Sequence, residues 1–203
     1  SHSSFKDKVE MSNLCQEITL PTTPIQSIED YNGEIALCIL SAINVGKINI
    51  EDLEHLCDLA VRGLDELIDY QEYPVKAAEK STLKRRSLGI GYIGLAHYLA
   101  KHKASYGSPE SLELVHELTE EFQYQLICAS VNLAKEKGKN DWHHKTKYAK
   151  GILPIDTYKK DVDDLTTNGL KKDWGALRGE VLEHGMRHST LSAQMPSCLL
   201  YTS

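Results

Sequence analysis

Residues 33–46 read GEIALCILSAINVG and residues 49–70 read NIEDLEHLCDLAVRGLDELIDY. The first run is apolar and rich in β-branched residues, which suits a buried strand with Cys38 packed inside it. The second places Leu53, Leu56, Ala60, Leu64, Leu67 and Ile68 at helical spacings with acids toward its start. It predicts an amphipathic helix, with Cys57 buried beside the apolar stripe.

Working outward, residues 12–17 read SNLCQE, and the PTTP that follows shortly after breaks any strand. Read as extended chain, this segment puts Asn13, Cys15 and Glu17 on one side and Leu14, Gln16 and Ile18 on the other. Spacing alone favours a small buried thiol beside a solvated face. Further helices are predicted over about 90–103, over 109–137 (Pro109 at the start, Gly138 at the stop) and over 174–184, ended by Gly185. The segment YAKGILPIDTYKKD reads as loop, short apolar piece and helix start, and STLSAQMPS as a strand running into a loop. No internal repeat or linker divides the chain.

Gly89, Gly91 and Gly94 match GxGxxG, the dinucleotide fingerprint. That mechanism needs a buried strand feeding the glycine turn, and the preceding KSTLKRR does not resemble one. Glycines serving close helix packing are the simpler account. An NAD-binding oxidoreductase using these three residues stays as a minor alternative.

Among the 203 residues, Lys and Arg number 23 against 29 Asp and Glu, a net charge of −6. This disfavours nucleic acid as a partner, although a local site for a small phosphorylated ligand is compatible with it. No apolar run is long enough to cross a bilayer and the start lacks a signal-peptide core, so the expectation is a cytoplasmic protein without membrane contact. The five cysteines form no CxxC pair, and no Cys/His cluster has zinc spacing. Neither a disulfide framework nor a bound metal is expected; thiol chemistry, if present, is catalytic or redox.

The segments SNLCQE, GEIALC with LSAINVG, RRSLGIGYIGLAHYLA, YAKGILPIDTYKKD, WGALR and HGMRHSTLSAQMPS stand in an order that closely resembles the catalytic large subunit of class I ribonucleotide reductase. The resemblance covers nearly the whole chain. It implies a helix-rich part of a ten-stranded α/β barrel, spanning residues 1–197, with the radical-cysteine loop near the N-terminus. It also implies reduction of ribonucleoside diphosphates to deoxyribonucleoside diphosphates by a thiyl-radical mechanism.

By that resemblance Cys15 matches the thiyl-radical cysteine that takes the 3′ hydrogen, Glu17 the base on the 3′ hydroxyl, and Asn13 the amide that holds the ribose hydroxyls. Leu14 and Gln16 are expected to contribute backbone contacts to substrate. Cys38 matches one of two cysteines that supply the reducing electrons; its partner in the family precedes the point where this chain begins. Pro196 and Ser197 match the start of the phosphate-binding loop. The glycines of GxGxxG bind no dinucleotide in that family.

The chain departs from the family pattern in several places. It looks like a central slice, without the ATP-binding and effector-specificity regions in front or the radical-relay tyrosines and tail cysteines behind. No cofactor is expected on it. The radical would come from a metal-containing small subunit, and re-reduction from thioredoxin or glutaredoxin. Residues 198–203, CLLYTS, diverge as a truncation would or as the first residues of an intein would. His188 stands where the family usually has Asn. These departures predict activity only when the missing parts of the large subunit complement the chain. The rival reading is a non-catalytic remnant or binding module.

Overall fold

The computed structural model describes residues 5–13 and 15–194. Two short strands, β1 (Met11–Ser12) and β2 (Thr19–Leu20), form an antiparallel hairpin with Met11 opposite Leu20 and Ser12 opposite Thr19. β3 (Ile39–Asn44) is the regular part of the predicted strand, shorter than its apolar run. A 3-10 turn at Ile50–Asp52 then leads into α1 (Leu53–Tyr70), where Asp52 Oδ2 accepts the Asn49 N–H at 2.9 Å. The face of α1 that is buried runs through Leu53, Cys57, Val61, Leu64, Asp65 and Ile68. Leu67 of the predicted stripe is half exposed.

Helix α2 (Lys76–Arg85) has no apolar stripe and was not predicted; it ends at Arg86, whose φ of 48° is left-handed. Residues 88–93 correct a second expectation. Instead of opening a helix they form β4 (Leu88–Ile93), parallel to β3 from Ile39↔Leu88 to Asn44↔Ile93. The reason lies in a period of two: Leu88, Ile90 and Tyr92 pack into the main core, while Gly89 and Gly91 fall on the opposite face. Helix α3 (Leu95–Lys101) starts only after Gly94, at φ 78°.

α4 (Pro109–Lys137) has the predicted bounds. Ser108 Oγ caps it by accepting the Ser111 N–H at 3.3 Å, Pro109 sits at the first turn, and Gly138 ends it at φ 84°. A one-turn α5 (Pro154–Thr157) and α6 (Trp174–His184), ended by Gly185, complete the helices. The chain then returns to the sheet. Leu88 N–H donates to Thr190 O at 3.1 Å, Ile90 N–H to Leu191 O at 2.8 Å and Ala193 N–H to Ile90 O at 3.2 Å. Residues 190–193 therefore lie parallel to β4 on the side away from β3, as the strand expected at STLSAQMPS requires.

The helices cover one face of this sheet, where α1 packs on α4 and α6 on α4. The other face is covered in part by the N-terminal segment, through a small cluster of Phe5, Ile18, Leu20 and Ala193 with Ala36 and Cys38 against it. One consequence is a helix-rich α/β unit whose β1–β2 hairpin sits over the end of the segment that leads into β3.

A buried polar knot ties the elements together. Asp65 of α1 accepts from Arg86 Nε at 2.6 Å, His188 Nε2 at 3.1 Å and Arg187 Nε at 3.2 Å. His188 Nδ1 lies 3.0 Å from Ser130 Oγ of α4, so His188 is fully buried between two polar partners. Burial pushes the His188 imidazole down, opposed by Asp65. Burial also pushes His143 down to about 4, with Lys139, Lys6 and His144 acting the same way.

A histidine whose folded pKa lies below its ordinary 6.5 binds protons more readily in the unfolded chain. Its contribution is complete above that value and fades as pH falls. Unfolding free energy is therefore expected to drop between pH 6.5 and about 4, by roughly 3 kcal/mol from His143 alone at ~1.4 kcal/mol per pH unit. Urea titrations across this range measure it, and His143→Phe is expected to flatten the slope.

Candidate active site

The segment SNLCQE is not an extended strand carrying three groups on one side. It is the tight turn of the β1–β2 hairpin. Asn13 N–H donates to Ile18 O at 3.4 Å, Gln16 N–H to Asn13 O at 3.1 Å, and Ile18 N–H to the Asn13 side-chain Oδ1 at 3.2 Å. Gln16 takes a φ of 61°, a left-handed conformation that costs a non-glycine residue on the order of 1 kcal/mol or more. Such outliers gather at functional sites, where the surroundings hold them in place. Asn13 thus uses its amide oxygen to close the turn, and its Nδ2 is the donor it has to offer a ligand.

Cys15 is half-buried at the turn. Both Glu17 carboxylate oxygens are buried with no hydrogen-bond partner among the described residues. An unpaired buried carboxylate is costly, so its position marks a place built for a polar group. Cys38 is also half-buried; burial and then the Glu17 carboxylate push its thiol up to about 11. It remains protonated at neutral pH, a donor of hydrogen more than a nucleophile.

Asn13 and Cys38, remote in sequence, line one cleft of about 790 Å³ together with Ile18, Leu20, Glu34 and Leu40. The hairpin supplies one wall and the chain leading into β3 the other. The structure therefore brings Asn13, Glu17 and Cys38 to one region, with Cys15 on the same turn. Leu14, Pro196 and Ser197 lie outside the described residues, as do Cys198 and the rest of the divergent tail. Cys57 is fully buried in the helical core with its thiol pushed to about 12 by burial and Glu121, and Cys128 sits half-buried on α4, pushed to about 11 by burial. Neither approaches the cleft.

The ion pair behind the second wall was not anticipated. Glu34, buried in the cleft lining, pairs with Arg85 Nε and accepts from Ser81 Oγ at 3.2 Å. Arg85 also reaches Asp7 at 2.7 Å and lies over the rings of Trp142 and Phe5, 4.8 and 5.4 Å from their centroids. The available signal was a lone acid in the apolar run GEIALC. Beneath Cys38, Gly89 allows close approach: an added Cβ would stand 2.6 Å from Leu40 Cδ2, 3.2 Å from Ala193 and 3.8 Å from Cys38 Sγ. The half-exposed Leu40 can swing aside, but Ala193 must give. Gly89→Ala is expected to cost about 1–2 kcal/mol by overpacking, read from urea unfolding.

The glycine fingerprint does not form a cofactor cradle. Gly89 and Gly91 lie within β4 instead of in a turn at its end, and at Gly94 an added Cβ would meet Asn44 Oδ1 at 2.4 Å. The NAD-binding alternative loses its basis, since the amides a pyrophosphate needs belong to a sheet ladder. Among the described residues no group of His, Cys, Asp and Glu has the geometry of a metal site, and no helix is long and apolar enough to cross a membrane.

A model of the ribonucleotide reductase barrel domain matches residues 1–198. The chain belongs to the ribonucleotide reductase barrel-domain family. Among its curated relatives, ribonucleoside-diphosphate reductase subunit alpha of Haemophilus influenzae is 57% identical over 97% of this chain, and 27% of that protein's length is covered. Ribonucleoside-diphosphate reductase 1 subunit alpha of Escherichia coli is 53% identical over 97% of the chain and 26% of its own length. The subunit alpha of Enterobacteria phage T4 is 44% identical over 94% and 25%. The chain thus spans about a quarter of the length of the curated relatives it matches. Family membership accounts for the order of motifs and disfavours the dinucleotide enzyme.

Proposed function

We propose that this chain carries the ribose chemistry of a ribonucleoside-diphosphate reductase alpha subunit. The observation that supports it best is the meeting of Asn13 and Cys38 at one cleft, with the buried, unpartnered Glu17 carboxylate near enough to Cys38 to push its thiol up. In this reading Asn13 Nδ2 holds a ribose hydroxyl, and Cys15, as a thiyl radical, removes the 3′ hydrogen atom. Glu17 accepts the 3′ hydroxyl proton while a proton from the thiol pair lets the 2′ hydroxyl leave as water, and Glu17 returns its proton to the 3′ oxygen at the end. Cys38 and a second thiol from a preceding part of the subunit supply two electrons and two protons and end as a disulfide. The sugar regains its 3′ hydrogen from Cys15, so the radical is returned.

The extended segments 39–44, 88–93 and 190–193 would be neighbouring strands of a ten-stranded barrel, with the cleft facing its interior. Pro196 and Ser197 would begin the diphosphate site, and Leu14 and Gln16 would add backbone contacts. A radical-generating small subunit, a thioredoxin or glutaredoxin, and the remaining parts of the alpha subunit are the partners this reading requires.

The test is a graft. Residues 1–194 replace the matching segment of the Haemophilus influenzae subunit, and deoxyribonucleoside diphosphate formation is measured with that organism's small subunit. The expected result is turnover within about tenfold of the parent, a barrier change of ~1.4 kcal/mol. A folded graft without turnover would overturn the proposal.

A further inference from the structure

The buried face of α2 carries no large apolar side chain. Ala77, Ser81 and Arg85 follow one another at spacings of four and share one side of the helix, all buried. That side is laid against residues 34 and 35. Ala77 O accepts the Ile35 N–H at 3.4 Å, Ser81 Oγ donates to Glu34 at 3.2 Å, and Arg85 holds the Glu34 carboxylate through Nε and, at 3.2 Å, through Nη2. Two N–H bonds from one guanidinium edge fix the direction of a carboxylate as well as its distance.

The same Nη2 donates to Asp7 at 2.7 Å. Asp7 precedes β1, on the wall that ends in the 13–17 turn, whereas Glu34 precedes Cys38 on the other wall. The walls are also joined where Thr23 and Glu34 exchange both backbone bonds at 2.9 Å. One cation is therefore shared by two carboxylates from opposite walls, and without it those like charges would face each other. Arg85 is fully buried beside the Phe5 and Trp142 rings, so solvent screens this pairing little. It stands behind the cleft lining, and its effect on the cleft is indirect.

We infer that Arg85 is a positioning residue: by holding Asp7 and Glu34 at once it sets the spacing between the 13–17 turn and Cys38. The role in catalysis rests on the reading of the cleft as the site of ribose chemistry, where a misplacement of about 1 Å between reacting groups costs on the order of 10²-fold in rate.

The first readout needs no turnover. In the complete chain, Cys38 is alkylated with iodoacetamide at pH 8 and the modified peptide is quantified by mass spectrometry. The intact cleft keeps this thiol half-buried near the Glu17 carboxylate, protonated and slow to react. Arg85→Lys keeps the charge without the planar fork, and is expected to speed alkylation about tenfold as the walls part. Adding Glu17→Gln is expected to speed the parent chain more than Arg85→Lys, because a parted hairpin has already carried the carboxylate away. Val61→Ala, which opens a cavity in the helical core, controls for lost stability and is expected to leave the rate within about twofold. Should Arg85→Lys fail to fold, Asp7→Ala cuts the same tie at its half-buried end, with the same expected effect.

In the grafted subunit, Arg85→Lys is expected to lower kcat by about 10–100-fold with KM for the nucleoside diphosphate within about threefold, and Val61→Ala to move neither. An alkylation rate no faster than that of Val61→Ala, or equal increments from Glu17→Gln in both backgrounds, would overturn the positioning role and leave the ribose reading to stand on the turnover of the graft. A graft without turnover would overturn the ribose reading, and the alkylation rates then decide whether Arg85 sets the spacing.

Discussion

Cys15→Ser in the grafted subunit is expected to lower kcat by at least about 10⁴-fold, the scale seen when the central reacting group of an enzyme is removed. Serine keeps the size and polarity of the half-buried side chain, so the hairpin turn should persist. What it lacks is a weak S–H bond: an oxygen radical at this position would be too high in energy to form, and hydrogen exchange with carbon stops. Glu17→Gln is the matching control for the base. It keeps the shape but accepts no proton, and a loss of about 10²–10⁴-fold is expected. The assay is deoxyribonucleoside diphosphate formation, with circular dichroism to establish that the fold is intact. A Cys15→Ser rate within about tenfold of the parent would remove the residue from the chemistry.

Asp65→Ala is the substitution with the largest expected effect on stability. The carboxylate is fully buried and its ordinary acidity is altered by two opposed influences: burial raises its pKa, while hydrogen bonds from His188 and Arg86 more than offset this and hold it below the usual carboxylate range. Its contribution is complete above the ordinary value of 3.8 and is lost as pH falls through the lower folded value, so at neutral pH it is fully present. Removing it leaves the buried Arg86 with Asp69 as its remaining carboxylate, at 2.8 Å, and deprives His188 and Arg187 of a shared acceptor. Breaking a buried network from one side costs about 3–5 kcal/mol, a large part of the 5–15 kcal/mol of a typical domain. Urea unfolding at pH 7 measures it. A loss below about 1 kcal/mol would mean that water replaces the carboxylate at little cost.

How much of this was legible in the chain depends on how local the cause is. Helices α1, α4 and α6 stand close to where capping residues and apolar spacing put them, because Ser108, Pro109, Gly138 and Gly185 act within a turn of themselves. The chemical character of Asn13, Cys15, Glu17 and Cys38 was legible through the motifs they belong to, and the family match covers those motifs. Their arrangement was not. Alternation in SNLCQE suggested an extended strand, but the pairing of Met11 with Leu20 folds it into a turn.

The sequence by itself determined the limits of α4 and α6, the existence of α1, the residue types at the candidate site and the family. Tertiary structure alone decided that 88–93 is a strand, since a parallel partner 49 residues away in register supplies its hydrogen bonds, and that Ala193 and Leu40 crowd the face at Gly89. It alone decided that Glu34 meets Arg85 at the cleft and that Asp65, one acid among many in a helix, is the buried centre of an ion network. Burial and pairing between distant segments set the energy of a charge, and neither is encoded in the residues beside it.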